Sequence, residues 1–504
     1  MRKPFLVALA AANALVLALF AVFNGAASLA GNVAMLFCAA VLAGDLLYAV
    51  FAKNFLGFWF IPAQAGLFLL AYFARQSASV DLANVRSFSA LNLCAMFAMP
   101  LLAMAFFLLD FFGLGRKLPK LHFFARLLKG ILPAVLLVGL FVFALLGFDH
   151  VYNYGSSYHE YTTTRADFLF LWIIFAVSCL FLREFIREKP EGLDWKAHFR
   201  RGVALLTAFA ALAGFGFACY LRGYTSLKGD FEAAEADYHA MFGESSGDFK
   251  GGRAVPLSLP NLFFGIRNGS EYRVERDIVY RTVDEGDFAG LRLAYDAFLP
   301  TDPDAHCSAV IMLHGSGGDK TQGNKMHLNK YLAAKGYAVY DLQVGDFNEK
   351  NTGFPEGAQR DWELMLRSLD AFFAYAVQHE SADFGSTFLI GGSMGGYLAT
   401  DYIYNYDHYA RESGVTIRGI VPLYGVTGDA EIDKDSIPVL IYMGDHDELK
   451  WNAFELREKY QAAGNSNAIA LTVSFGGHGC DSQFSCRGAQ LELYFLERFL
   501  EKLR

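Results

Sequence analysis

Apolar positions run almost unbroken through the first 225 residues, and the pattern then changes period. Seven apolar stretches occupy roughly 5–23, 33–52, 55–74, 88–112, 130–148, 166–182 and 202–221. Most reach or approach the ~20 residues that a helix needs to cross hydrocarbon. One such stretch can be a buried helix of a soluble protein. Seven in series leave no polar faces to meet water, so about seven transmembrane helices are expected. The sixth is the shortest, and Phe185 and Ile186 would extend it. Residues 226–270 are mixed and polar and read as a linker. Within them, 229–242 predicts a short amphipathic helix with Phe231, Tyr238, Met241 and Phe242 on one side.

From about 271 short apolar runs alternate with helix-like stretches. Tyr272–Thr282 and Leu291–Phe298 predict an antiparallel entry to a sheet. Further strands are expected at Ser308–Leu313, Ala338–Leu342, Thr387–Ile390, Gly419–Leu423, Val439–Met443 and Ala468–Phe475. Helices are expected at about 323–335, 357–379, 395–411, 450–463 and 485–503. Such alternation predicts an α/β domain over 271–504, with a mostly parallel sheet covered on both faces. Ligands on such sheets sit at the carboxyl ends of the strands.

Composition and charge sharpen this division. Apolar residues make up 54% of the chain and charged residues 19%, against about 45–50% and 25% in soluble domains. That excludes a disordered chain. The net charge of −8 conceals a balance of +8 in residues 1–225 and −16 in 226–504. Nucleic acid is excluded as a partner, because the basic residues cluster at the ends of apolar stretches, where topology accounts for them. Arg2 and Lys3 precede the first stretch, and Lys53 follows the second. Arg116, Lys117, Lys120, Arg126 and Lys129 follow the fourth; Arg183, Arg187, Lys189, Lys196, Arg200 and Arg201 follow the sixth. These place the N-terminus in the cytoplasm and residues 226 onward on the outer or periplasmic side of a plasma or inner membrane. Loop 75–87, with Arg75 and Arg86, fits this least well. The first stretch read as a cleaved signal, with Ser28–Ala30 as the site, has an apolar core longer than the usual ~7–15 residues. Asp45 and Asp110 lie within apolar stretches, where a carboxylate is either protonated and packed or part of a transport or proton path. Tyr152, Tyr154, Tyr158 and Tyr161 suit interfacial anchoring as well as substrate binding.

The candidate chemistry lies in the second half. After the expected strand Thr387–Ile390 comes Gly391-Gly392-Ser393-Met394-Gly395-Gly396, then a helical run. This is G-x-S-x-G in a strand–turn–helix context, a turn that lifts a serine hydroxyl above a sheet. Gly391 and Gly395 are required there because a side chain would collide with the neighbouring strand or helix. The same pattern at Gly243–Gly247 follows no strand and reads as chance. A phosphate-binding P-loop is excluded by Tyr397, which stands where Lys would be needed.

A serine needs a base, and the base an orienting acid. Strand Val439–Met443 leads into Gly444-Asp445-His446-Asp447, and strand Ala468–Phe475 into Gly476-Gly477-His478-Gly479. Asp447 and His478 therefore join Ser393 on one sheet edge, in the chain order Ser, Asp, His. Asp445 is the competing acid; Asp447 is preferred because the loop must project before its side chain can face an imidazole. An oxyanion hole is expected from the N–H of Met394 and from the loop His314-Gly315-Ser316-Gly317-Gly318, with Ser316 first and Gly317 next.

With these four motifs, residues 271–504 resemble the α/β-hydrolase superfamily. They are similar above all to dienelactone hydrolase-like and prolyl oligopeptidase-like serine hydrolases and to the C-terminal region of acyl-CoA thioesterases. The resemblance implies an ester, thioester or peptide hydrolase that uses no cofactor. No metal is expected either, because zinc on His478, Cys480 and Cys486 would remove the base and fits no common zinc spacing. Dienelactone hydrolase itself uses a cysteine nucleophile, from which Ser393 departs. Residues 1–225 carry no such resemblance.

Cys38, Cys94, Cys179 and Cys219 fall in apolar stretches and read as packing. An outer location permits a Cys480–Cys486 disulfide, and buried thiols fit equally well. The sequence thus predicts a membrane-integral serine hydrolase cleaving a carboxylic ester or thioester. Its expected partners are the lipid bilayer and an acyl-bearing small molecule, lipid or glycan. The alternatives are a peptidase or acyltransferase on the same triad, and a transporter or sensor with a non-catalytic hydrolase-like domain.

Overall fold

The computed structural model describes residues 2–52, 55–80, 85–114, 135–148, 151, 167–187, 195–266, 271–284, 288–302, 307–316, 320, 325–344, 362–406, 414–482 and 484–504. The four loop tyrosines, the cations between 115 and 134, Lys53, Lys189 and Gly317 lie outside these residues. The chain forms two compact units. Among the described residues, the first holds those up to Thr225 together with Leu257–Ile266, and the second holds the remainder.

The first unit is helical: α1 (Arg2–Phe23), α2 (Leu29–Phe51), α3 (Phe55–Val80), α4 (Val85–Phe111), α5 (Val135–Phe148), α6 (Asp167–Arg187), the beginning of α7 (Trp195–Phe242) and α8 (Leu259–Phe264). Among the described residues, five segments are long and apolar enough to cross a membrane: Lys3–Phe23, Leu29–Phe51, Leu56–Arg75, Ser87–Phe111 and Gly202–Phe242. The apolar parts of α5 and α6, Val135–Phe148 and Leu171–Arg183, are shorter. Large apolar side chains line the outer faces as well as the interior; Val22, Leu29, Leu101 and Val138 are all exposed, while Phe20, Met35, Phe68 and Phe107 are buried. That all-round apolarity is compatible with a membrane protein.

Several buried polar groups of this unit meet helix ends or one another. Arg183 is fully buried, and its guanidinium donates to the carbonyls of Ala49 and Ala52 at the C-terminal end of α2. Arg75 is also buried and donates to the Leu262 carbonyl, in the last turn of α8. The charge pattern places both among loop cations. Both instead satisfy helix-terminal carbonyls that have no intrahelical donor. Lys196, Arg200 and Arg201 likewise fall within α7 rather than in a loop. Asn13 donates to Asp45 (3.2 Å), and Tyr48 to Asp110 (2.8 Å).

The stretch that reads from the sequence as a linker is divided. Residues up to Phe242 continue α7 without a break. Leu257–Ile266 belongs to the helical unit. There Ser258 caps α8 by accepting from Asn261 N–H, Asn32 bonds the backbone of both Leu257 and Leu259, and Phe263 and Phe264 pack on Phe20.

The second unit is built on one eight-stranded sheet. Its strands are β1 (Tyr272–Thr282), β2 (Arg292–Pro300), β3 (Ser308–Leu313), β4 (Ala338–Leu342), β5 (Asp383–Gly392), β6 (Ile417–Leu423), β7 (Val439–Gly444) and β8 (Ala468–Val473). The spatial order is β1-β2-β4-β3-β5-β6-β7-β8. β2 pairs antiparallel with both β1 and β4, and every other pairing is parallel. This is an α/β-hydrolase-like fold with a mixed sheet. β3, β4 and β7 are buried at every position, as expected of strands covered on both faces. The covering helices are α9 (Lys325–Ala334), α10 (Trp362–His379), α11 (Met394–Tyr404), α12 (Lys450–Ala462) and α13 (Arg487–Leu503).

The strand order locates the functional edge. From β3 the chain moves one way to β4, then returns across to β5 on the other side of β3. β3 and β5 are thus the pair where the connections reverse, and ligands of such sheets bind outside the carboxyl ends of the strands at that point. The loops that leave these two ends begin at His314 and Ser393.

Candidate active site

Ser393 stands between β5 and α11 with φ +54° and ψ −120°, a backbone conformation that costs a non-glycine residue about 1–3 kcal/mol. The surrounding backbone enforces it. Ser393 N–H donates to Leu423 O (2.8 Å), and Gly396 N–H donates back to Ser393 O (2.9 Å). A Cβ on Gly391 would stand 2.1 Å from Gly395 O, and one on Gly395 would stand 2.3 Å from Leu313 O. The turn therefore closes only with both glycines. Gly425 is a further requirement that sequence reasoning missed, since a Cβ there would stand 1.9 Å from Ser393 O. Its signal was a glycine two residues after the end of β6.

The three residues predicted from motif order meet here. His478 Nε2 lies 2.9 Å from Ser393 Oγ, and His478 Nδ1 lies 2.9 Å from Asp447 Oδ2. A carboxylate opposite Nδ1 fixes the proton on that nitrogen, which leaves the Nε2 lone pair to accept from the serine hydroxyl. Asp447 is 2% exposed, and its other oxygen accepts from Leu449 N–H at 2.9 Å. The edge of the Tyr424 ring stands against the imidazole, with centroids 5.0 Å apart. Tyr424 itself has φ +45° and belongs to none of the sequence motifs.

Asp445, the competing acid, is held elsewhere. Its N–H joins Val473 O, and its Oδ1 lies 3.7 Å from His446 Nε2 rather than on His478. Burial pushes the Asp445 carboxyl up to about 6. Burial, with Lys450 and Arg487 nearby, pushes the His446 imidazole down to about 4.

Of the expected oxyanion donors, Met394 is the first residue of α11, so its N–H is one of those with no intrahelical acceptor. Ser316 lies on the exposed loop after β3. Two described residues after β3, His314 and Lys320, are held by side-chain bonds. Val344 N–H points to His314 Nε2 (3.4 Å), so the buried ring carries its proton on Nδ1 and donates to Gly315 O (3.0 Å). Further on, the Lys320 ammonium bridges Asp277 (2.6 Å) and the fully buried Asp296 (2.7 Å). Lys320 holds the Asp277 carboxyl below its ordinary range.

Cys480 and Cys486 are free thiols. Cys480 Sγ meets Tyr442 Oη at 3.2 Å; Cys486 caps α13, its Sγ accepting from Ala489 N–H at 3.4 Å. Among the described residues no group of three or more His, Cys, Asp or Glu side chains is arranged to hold a metal ion. The second G-x-S-x-G match is a capping turn, where Ser245 donates to Glu235 and accepts from Gly247 N–H.

No protein-family model matches the chain, and no curated protein sequence does. Among solved structures it is similar to an inhibited esterase B from Lactobacillus rhamnosis, at 14% identity over 56% of this chain and 95% of that one, with a TM-score of 0.35. It is also similar to a thermostable esterase from Pseudomonas putida, at 14% identity over 47% and 84%, TM-score 0.36. A third is brefeldin A esterase, a bacterial homologue of human hormone sensitive lipase, at 13% identity over 55% and 84%, TM-score 0.36.

Proposed function

We propose that this chain is a membrane-integral serine hydrolase that cleaves a carboxylic ester or thioester. One observation carries the reading: Asp447, His478 and Ser393 form an unbroken hydrogen-bonded line on the sheet edge where the strand connections reverse. In this mechanism Ser393 Oγ attacks the acyl carbonyl while His478 Nε2 takes its proton. Asp447 holds the ring and stabilises the imidazolium. The oxyanion is met by Met394 N–H and by the loop after β3, with Ser316 N–H as the second donor. His478 then returns the proton to the leaving oxygen or sulfur. Water, deprotonated by the same imidazole, releases the acyl group and restores Ser393.

In the same proposal the apolar helices cross a plasma or inner membrane, with the N-terminus in the cytoplasm and the hydrolase unit outside. The substrate is an acyl-bearing lipid, glycan or small molecule of the membrane or envelope. A series of p-nitrophenyl and thioester substrates of increasing acyl length tests the activity. Turnover that Ser393→Ala abolishes supports it, whereas turnover indifferent to Ser393→Ala rejects it. Running an impermeant serine-directed probe on intact cells tests the topology, and labelling only after lysis contradicts it.

A further inference from the structure

β8 closes the sheet, so the backbone groups on its outer edge have no strand to pair with. Two carboxylates of α7 take that role. Asp237 Oδ2 accepts from Ala470 N–H (3.1 Å), and Asp230 Oδ2 accepts from Ser474 N–H (3.0 Å). The match is geometric. Seven helical residues advance about 10.5 Å, and four extended residues advance about 13 Å. Ala470 lies in β8 and Ser474 directly follows it, an even number of residues on, so the N–H groups of both leave the chain on the side away from β7.

The two contacts hold different parts of the chain. Ala470 lies inside the regular ladder with β7. Ser474 begins the turn that delivers His478. Its hydroxyl also donates to Asp230 Oδ1 (2.6 Å), and its carbonyl accepts from Arg487 (2.7 Å). All three polar groups of this residue are thereby fixed. The next residue, Phe475, turns to φ +56°, Gly476 N–H closes back on Val473 O, and Gly476 O accepts from His446 N–H. His478 comes two residues later.

We propose that Asp230 is a positioning residue for His478. Its carboxylate anchors Ser474 and thereby sets where the 474–478 turn places the imidazole relative to Ser393. This rests on the hydrolase reading above. Misplacement of a catalytic group by about 1 Å costs on the order of 10²-fold in rate, so a loosened anchor should be read in kcat.

The test uses the full chain in detergent and measures kcat and KM on a p-nitrophenyl ester, the rate of Ser393 phosphonylation by a fluorophosphonate, and Tm. Asp230→Ala should lower kcat and the phosphonylation rate by about ten-fold or more, with KM little changed. Asp230→Asn, which keeps an acceptor for Ser474 N–H, should recover part of the loss. Asp237→Ala, which removes a comparable carboxylate and its pair with Arg457, should lower Tm and leave kcat near wild type. Wild-type kcat in Asp230→Ala overturns the proposal, as does a parallel fall of kcat and Tm in the Asp230 and Asp237 variants. Should Asp230→Ala not fold, Ser474→Ala carries the test: a lowered kcat at unchanged KM supports the anchor, and an unchanged kcat overturns it. Failure of the wild-type protein to form any adduct at Ser393 would instead reject the hydrolase reading, and the anchor with it.

Discussion

His478 Nε2 reaches Ser393 Oγ at 2.9 Å although 85 residues separate them in the chain. Their strands, β8 and β5, are not neighbours, because β6 and β7 lie between them. Three inter-strand spacings amount to about 14 Å at the strand ends. The turn after β8 must therefore fold back across the ends of β7 and β6. The bond from His446 N–H to Gly476 O and the T-shaped contact of the Tyr424 ring with the imidazole support it on the way.

The identity of the acid is directly testable. Asp447→Asn should lower kcat by about 10⁴-fold, because an amide can orient the wrong imidazole tautomer. Asp445→Asn should leave kcat close to wild type, since its carboxyl lies beside His446 and not His478. Steady-state kinetics of the two variants separates these outcomes, and a reversed pattern removes Asp447 from the line.

Gly425 has no catalytic group, yet its replacement should silence the site. In Gly425→Ala the new methyl meets the Ser393 carbonyl at 1.9 Å, so the nucleophile turn or β6 must shift. A stability loss of about 1–3 kcal/mol is expected from such overpacking, together with loss of Ser393 labelling. Thermal melting and labelling of the same preparation check both.

Acid sensitivity should have an identifiable source in His446. Its folded value of about 4 lies below its ordinary 6.5, so the unfolded chain binds the extra proton between those values. Its contribution to stability is complete above pH 6.5 and is lost as pH falls towards 4. Asp445 acts in the opposite sense: raised from 3.8 to about 6, it contributes fully below its ordinary value and loses that contribution as pH rises through 6. The Tm of His446→Gln relative to wild type should therefore climb as pH is lowered from 6.5 to 4. A difference that stays constant across that window contradicts the assignment.

In the helical unit, Arg183→Leu should destabilise more than an exposed cation would. It leaves the Ala49 and Ala52 carbonyls without their donor, at about 1–3 kcal/mol for a buried group left unpaired. Melting in detergent against Arg222→Leu provides the comparison.

The sheet and most of its helices were legible because strand-like runs and glycines at a strained turn are signals a few residues long. The meeting of Ser393, Asp447 and His478 was legible because each follows such a strand end and they stand in the chain order Ser, Asp, His. The α7 and α8 assignments were not legible in the same way. Residues 229–242 look like a short amphipathic helix, and nothing local shows that the apolar run before them continues into it. Leu257–Ile266 is held in the helical unit by Asn32, Arg75 and Phe20, partners more than 180 residues away. Arg75 and Arg183 read as loop cations because charge pattern cannot reveal a bond to a helix-end carbonyl. The expected β8 strand is two residues too long, since Phe475 fits the strand pattern but takes φ +56°. Asp230 carries no sequence signal; only its two bonds to Ser474 mark it.

Everything proposed for the site depends on Ser393 being a nucleophile activated by His478. The most direct test of this is mass spectrometry of the full-length protein after reaction with a fluorophosphonate. A single adduct is expected on the peptide bearing Ser393, absent in Ser393→Ala and strongly slowed in His478→Ala. A folded protein that forms no adduct at Ser393, or forms it at the same rate without His478, would contradict it.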